Sequence, residues 1–299
     1  MTQDPGTQPD ALADDADPTI GIDPPEVVMP AVSGRLVDAD GVGVPDAKVL
    51  CCTMSTCYSA NTDEDGNYVV GNLTGGGWKL QLLGGSVGAA TFVWYQEVTD
   101  MTANHTLDRD VVAVAQTSDP VPWIEATGGT VVSADGELEL TADPVLDDNG
   151  DRALDEDGDP LEPLEGPIGW DDTIQAVKVP VEHIPPYDVQ PWDDGDTVHA
   201  FHIDPFKIHG NVPVQLRLLK GPYGEVGDAY TIYEVHLDYG KLQVAGKAIV
   251  GDDGVLASDE NANLTHLSTV IIVADGGAAA DAAAEAAANE EPQEDAAGE

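Results

Sequence analysis

Near its C-terminal end the sequence places a histidine and a serine on either side of a leucine, as His266-Leu267-Ser268. A histidine so placed can take the proton of the serine hydroxyl, which then attacks the carbonyl carbon of Leu267. An acyl shift from nitrogen to oxygen gives an ester, and water opens that ester, so the chain would be cut before Ser268. A second interpretation needs no reaction, because Thr265 to Thr269 alternate like the start of a final β-strand. The sequence leaves self-cleavage by His266 and Ser268 and a plain strand both open.

A second candidate for chemistry is an acidic run in which the unit Leu-Asp-x-x-Gly-Asp occurs twice, from Leu146 and from Leu154. Calcium prefers six to eight oxygen ligands, and turns rich in Asp, Asn and Gly supply them. The run lacks the helices and the final glutamate of an EF-hand, and Asp-Gly turns also close hairpins without metal. Calcium binding and metal-free turns both remain open, and no other cofactor is indicated. The candidate ligands are Asp147, Asn149, Asp151, Asp155, Asp157 and Asp159.

The three cysteines are Cys51, Cys52 and Cys57. The spacing of Cys52 and Cys57 suits a disulfide across a hairpin. Cys51 adjoins Cys52, so on a strand its side chain points to the opposite face. In an oxidising compartment this pattern predicts a Cys52–Cys57 bridge beside one buried thiol, whereas three buried thiols are expected in a reducing one.

Composition limits the classes of partner. The chain has 299 residues with 56 acids against 11 bases, a net charge of −45. Such a charge repels nucleic acid and anionic lipid, and it is typical of a solvated surface in a halophile or outside a cell. No apolar run is long enough to cross a bilayer, and no signal peptide is visible at the N-terminus.

The elements that must position these residues are β-strands. One module is built from an alternating strand, a Gly/Pro turn and an Asp-Gly turn that opens a further strand. These features lie in the runs Val32–Asp38, Gly43–Val49 and Thr62–Tyr68. Residues of about 31–113 thereby resemble the carboxypeptidase regulatory-like family. The resemblance implies a small transthyretin-like β-sandwich that acts as a spacer, a stabiliser or an adhesive unit.

A second β-unit opens with Gly-Gly-Thr-Val at Gly128 and closes with Thr-His-Leu-Ser at Thr265. These two ends of the segment 128–275 resemble the β-sandwich domain of ankyrins, zonula-occludens proteins and netrin receptors. Some relatives of that domain, and the autoproteolysis domains of adhesion receptors, are cut at a triplet of the same type, so the resemblance implies self-cleavage at Leu267–Ser268. The aliphatic stretch Val270–Val273 is predicted to be a well-covered strand, with one of Ile271 and Ile272 pointing inward.

The sequence therefore predicts an all-β protein, two tandem β-sandwich domains with disordered acidic tails at both ends. The predicted segments are an acidic tether at 1–30, a first sandwich at 31–115, a linker at 116–127, a second sandwich at 128–275 with an acidic insertion at 144–166, and an Ala/Glu-rich tail at 276–299.

The function expected from this organisation is non-enzymatic: a secreted or surface-displayed structural or adhesive protein. Its partner would be another protein, a cell surface or further copies of itself. Two alternatives stay open, namely a virion or appendage component, and a module that cuts itself between Leu267 and Ser268.

Overall fold

The computed structural model describes residues 30–53, 56–74, 77–83, 96–98, 103–115, 119–123, 127–166, 171–185, 187, 190–205, 208–236 and 241–276. Within these ranges the chain forms strands and loops, and its one helical segment is a 3-10 turn at Val181–His183. The all-β prediction is confirmed. None of the helical structure described has the length and apolar character needed to span a bilayer. The predicted tails lie outside the described residues, apart from Pro30 and Gly276.

The first eight strands form two four-stranded sheets, one with mixed and one with antiparallel pairing. Their bounds are β1 Val32–Val37, β2 Lys48–Cys52, β3 Cys57–Asn61, β4 Asn67–Val70, β5 Trp78–Leu83, β6 Gln96–Val98, β7 His105–Thr106 and β8 Val111–Val112. One sheet has the order β4-β1-β7, with β8 also paired to β1, and the other has the order β3-β2-β5-β6.

Alternation along β5 shows why these sheets enclose a core. Trp78, Leu80 and Leu82 are each at most 3% exposed and share the inner face. Because side chains alternate across a strand, every second apolar residue reaches the same face. Cys51 on the neighbouring strand β2 is buried in the same core.

The remaining twelve strands are joined by hydrogen bonds into one continuous sheet with the order β10-β11-β15-β18-β17-β16-β20-β14-β13-β9, while β12 and β19 also pair with β15. Their bounds are β9 Val121–Pro122, β10 Gly129–Val132, β11 Leu138–Ala142, β12 Leu164–Glu165, β13 Thr173–Val179, β14 Val198–Asp204, β15 Ile208–Leu218, β16 Ala229–His236, β17 Lys241–Val250, β18 Leu256–Ser258, β19 Leu264–Leu267 and β20 Thr269–Ala274. Strands from the whole order contribute to one apolar cluster, from Val131 on β10 to Ile174 on β13. The sheet therefore wraps around its own core.

Strand β20 is buried on both faces. Ile272 belongs to the core inside the wrapped sheet, and Ile271 belongs to the cluster that also contains the core of the first module. Both isoleucines are 0% exposed, so the strand is well covered as predicted, and the isoleucine on the outer face is buried as well. The outer face is covered by an apolar cluster that also contains Tyr187 and Trp192 from the segment after β13.

The first module and the wrapped sheet also meet through a hydrogen bond. The guanidinium group of Arg109, between β7 and β8, donates to the backbone carbonyl of Ile184, just after the 3-10 turn. Together with the shared apolar cluster, this bond makes the core of the first module continuous with the outer face of β20.

Candidate functional site

The chain bends at Ser268, between β19 and β20. Before the bend Leu267 pairs with Ile208 of β15, and after it Thr269 pairs with His202 of β14. One continuous run of sequence thus changes its strand partners within two residues. Ser268 is 1% exposed, so the change takes place inside the protein.

The residues just before this bend are held by the carboxylate of Glu234 on β16. Its Oε2 atom accepts hydrogen bonds from the backbone N–H groups of Thr265 (2.8 Å) and His266 (2.9 Å). Its Oε1 atom lies 3.0 Å from Nδ1 of the His266 ring and accepts from the side-chain amide of Gln243 (2.5 Å). We call Glu234, Gln243, Thr265 and His266 the carboxylate clasp, since together they tie β16 and β17 to β19.

The clasp keeps a buried carboxylate ionised. Burial of Glu234, which is 1% exposed, would by itself raise the pKa of this carboxyl group. The hydrogen bonds from the side chain and backbone of His266, from Gln243 and from the backbone of Thr265 outweigh burial, and the pKa is lowered. An ionised carboxylate with several donors is a strong structural acceptor.

Self-cleavage needs a hydrogen bond between a base and the serine hydroxyl. In this structure Oγ of Ser268 is buried and has no hydrogen-bond partner among the described residues. Nδ1 of His266, meanwhile, faces Glu234. The two predicted residues therefore lie close along the chain without the contact that the reaction requires, and self-cleavage stays a prediction.

Sequence reasoning missed Glu234. The signal was present, because Tyr230 to His236 alternate as a strand whose inner face carries Ile232 and then a glutamate. A charged residue at an inward position predicts a buried partner, but the sequence does not reveal that the partner is the backbone of β19.

The acidic insertion consists of two successive turns with the same hydrogen bonds. In each turn the first aspartate, Asp147 or Asp155, accepts two backbone N–H groups through Oδ1, at 2.8–3.0 Å. The glycine three residues later has a positive φ of 82° or 89°, a conformation that side chains disfavour. The bonds Ala153 N to Val145 O and Leu161 N to Ala153 O show that the repeat is eight residues long.

The same turn recurs in the first module, where Asp38 and Asp63 accept the corresponding pairs of backbone N–H groups. Bonds from the backbone N–H groups of Asn149 and Asp151 lower the pKa of Asp147, and a backbone bond from Asn67 does the same for Asp63. These aspartates therefore act as acceptors that fix a turn.

Calcium binding would need several of the predicted ligands to converge. No group of three His, Cys, Asp or Glu side chains that could hold a metal ion occurs in the part of the chain that the structure describes. The carboxylates of Asp147 and Asp155 accept backbone N–H groups within their turns. Among the described residues, no hydrogen bond involves the carboxylate of Asp157 or Asp159. Calcium binding remains a prediction, and the geometry favours metal-free turns.

We expect the melting temperature to rise with added NaCl, because salt screens the repulsion among the acidic groups. Equal millimolar concentrations of calcium and magnesium should then give equal further shifts. Differential scanning fluorimetry of the wild type and of Asp157→Ala with Asp159→Ala measures both effects, and these two substitutions leave the turn acceptors intact. A calcium-specific shift that the double variant loses would establish a metal site.

The two cysteines of β2, Cys51 and Cys52, have different roles. Cys52 lies directly opposite Cys57 of β3, with 4.0 Å between their Cα atoms, and the two are joined by a disulfide. Cys51 is a buried free thiol, and burial raises its pKa to about 12.

Alkylation of the cysteines should therefore depend on unfolding. We expect native protein to incorporate no iodoacetamide, since Cys51 is 0% exposed and carries almost no thiolate at neutral pH. Denaturation without reductant should label Cys51 alone, as peptide mapping would show. Labelling of all three residues under those conditions would place the protein in a reducing compartment.

Comparison with known proteins gives structural resemblances only. No protein-family model and no curated protein matches the chain. The Bacillus anthracis TIE protein matches at 10% identity and a TM-score of 0.26, over 77% of this chain and 43% of that one. A streptococcal ancillary pilin matches at 10% identity and a TM-score of 0.25, over 84% and 55%. A variant of BcpA, the major pilin subunit of Bacillus cereus, matches at 12% identity and a TM-score of 0.26, over 80% and 85%.

The chain thus spans about half the length of the first two structures that it resembles. Matches at these TM-scores say nothing about function, so the function is inferred from the residues of this chain.

Proposed function

We propose that this protein is a non-enzymatic structural or adhesive component displayed outside the cell, where it binds another protein, a cell surface or further copies of itself. One observation supports the proposal most directly. The carboxylates at the two places where the sequence suggests chemistry, Glu234 beside His266 and Asp147 and Asp155 in the acidic insertion, hold backbone N–H groups of their own chain. Hydrogen bonds of this kind make the backbone rigid, as a structural component requires.

Other features agree with a load-carrying scaffold. The disulfide between Cys52 and Cys57 closes the hairpin of β2 and β3. The continuous apolar cluster joins the first module to the outer face of β20, which leaves little freedom between the two parts. A net charge of −45 keeps such a surface soluble and repels nucleic acid.

Immunogold labelling of intact cells of the source tests the proposal, with permeabilised cells as the control for antibody access. We expect gold particles on the outside of unpermeabilised cells. A regular lattice or fibre under the label would identify the appendage or virion alternative. Label that appears only after permeabilisation would overturn an extracellular role.

Mass spectrometry tests the enzymatic alternative separately. We expect a single intact mass after expression and after exposure to mild base and hydroxylamine, because Ser268 Oγ lacks the contact with a base. A fragment that begins at Ser268, and that Ser268→Ala abolishes, would instead establish self-cleavage.

A further inference from the structure

An open cleft of about 400 Å³ lies where the end of β20 meets the start of β16 and the loop between β15 and β16. Three short segments, far apart in sequence, supply its walls. The lining residues that the argument uses are Thr197, Tyr223, Asp228, Tyr230, Ala274 and Asp275.

The aromatic wall of the cleft is held in place. The hydroxyl of Tyr230 donates to the backbone carbonyl of Tyr223, and the hydroxyl of Tyr223 accepts the backbone N–H of Lys220 at 3.1 Å. The ring of His199 packs edge-on against Tyr223, with 5.2 Å between the ring centroids. Both tyrosine hydroxyls are thus engaged in holding the loop, and the tyrosines contribute mainly ring surface to the cleft.

The two carboxylates of the cleft differ in their partners. Asp275 already accepts hydrogen bonds from Thr231 (2.6 Å) and Lys247 (2.8 Å). Asp228 accepts one backbone N–H, from Glu225 at 2.7 Å, through Oδ2. Among the described residues its other oxygen has no donor, so Asp228 is available to a cationic group from outside.

Exposed apolar side chains adjoin the cleft. Val226 is 61% exposed and lies in the loop that also supplies Asp228 to the lining. Ile249 is 46% exposed and pairs across the sheet with Ala229, another lining residue. An acidic cleft with apolar side chains beside it suits a basic side chain flanked by apolar ones.

This chain itself offers few basic side chains that could occupy the cleft. Residues 276–299 contain acids and no Lys or Arg. Nine of the eleven Lys and Arg residues have an interaction partner within the chain. A second copy also carries a net charge of −45 and is repelled. The occupant is therefore a different molecule.

We propose that this cleft binds an arginine or lysine side chain presented by an apolar segment of a partner protein, with Asp228 as its counter-ion. The inference rests on the proposed adhesive function and names the chemistry of its partner.

The test uses the full chain and the acetylated, amidated peptide Ser-Val-Arg-Val-Ser, with binding followed by amide chemical shifts in NMR spectra. We expect the largest shifts at Thr197, Ala229 and Ala274. The same peptide with citrulline in place of arginine keeps the shape and loses the charge, and it should bind at least about fivefold more weakly.

Asp228→Asn is the matched protein variant, since an asparagine oxygen can still accept the N–H of Glu225. It should weaken binding about fivefold. Asp148→Asn removes the same charge from the acidic insertion, away from the cleft, and should change binding less than about twofold. Equal losses in both variants, or shifts spread over the whole surface, would mean general attraction to an acidic protein and would overturn the site. Immunogold labelling does not depend on the cleft, so a failure here is distinguishable from a failure of the proposed function.

Discussion

Replacement of Ile271 by alanine, and separately of Ile272, should each lower the free energy of unfolding by about 2–5 kcal/mol. The two side chains point to opposite faces of β20, and each is 0% exposed. Each substitution therefore leaves a cavity in a different core, one inside the wrapped sheet and one under the first module. Urea denaturation at fixed NaCl measures the loss of unfolding free energy in each variant. The slope of the transition should be compared between variants.

The matched control is Ile249→Ala, because this isoleucine is 46% exposed on β17 and should cost less than about 1 kcal/mol. The outcome for Ile271 is the informative one. A cost for Ile271→Ala as small as that of the control would mean that the segment carrying Tyr187 and Trp192, together with the first module, does not cover the outer face in solution.

Removal of the whole of strand β20 by truncation should destabilise the protein more than either substitution. A chain that ends after Leu267 lacks β20, which pairs with β14 on one side and β16 on the other. Its loss splits the sheet at its centre, so the second part of the protein should unfold, with loss of near-ultraviolet circular dichroism. A chain that ends after Asp275 keeps every strand that the structure describes and should melt like the full-length protein.

Local patterns in the sequence were sufficient to predict some of the strands and turns. Trp78, Leu80 and Leu82 alternate along the sequence, and they share one buried face of β5. The Asp-x-x-Gly units predict turns because the aspartate and the glycine act on neighbouring backbone groups. Such features depend on residues within about five positions of each other.

Features that join distant segments were beyond the sequence. Nothing around Ile271 indicates that a second apolar layer, drawn from the first module, covers its face of β20. Likewise, 32 positions separate Glu234 from His266, and the two residues meet only once β16 and β19 have taken their places in the sheet. Strand pairings between distant segments depend on the whole sheet, and a local periodic pattern does not specify them.

Glu234→Ala should lower the free energy of unfolding by about 3–5 kcal/mol, the range for removing one member of a buried charged network. Five donors would lose their acceptor, among them the backbone N–H groups of Thr265 and His266. Glu234→Gln keeps one acceptor oxygen and should cost less, about 1–3 kcal/mol. Glu260→Gln, an exposed position, is the control for the loss of a charge and should be nearly silent.

The pH dependence of these variants separates the clasp from simple packing. The pKa of Glu234 is lower in the folded protein than its usual value of 4.5, so the unfolded chain binds a proton first as the pH falls. The contribution of the clasp is therefore complete above about pH 4.5 and is lost as the pH falls through the folded pKa. Because Glu234→Gln cannot titrate, the difference in unfolding free energy between wild type and this variant should shrink on acidification and stay constant above pH 5. A difference that does not change between pH 3 and pH 7 would show that Glu234 acts by its shape alone, and the ionised clasp would have to be abandoned.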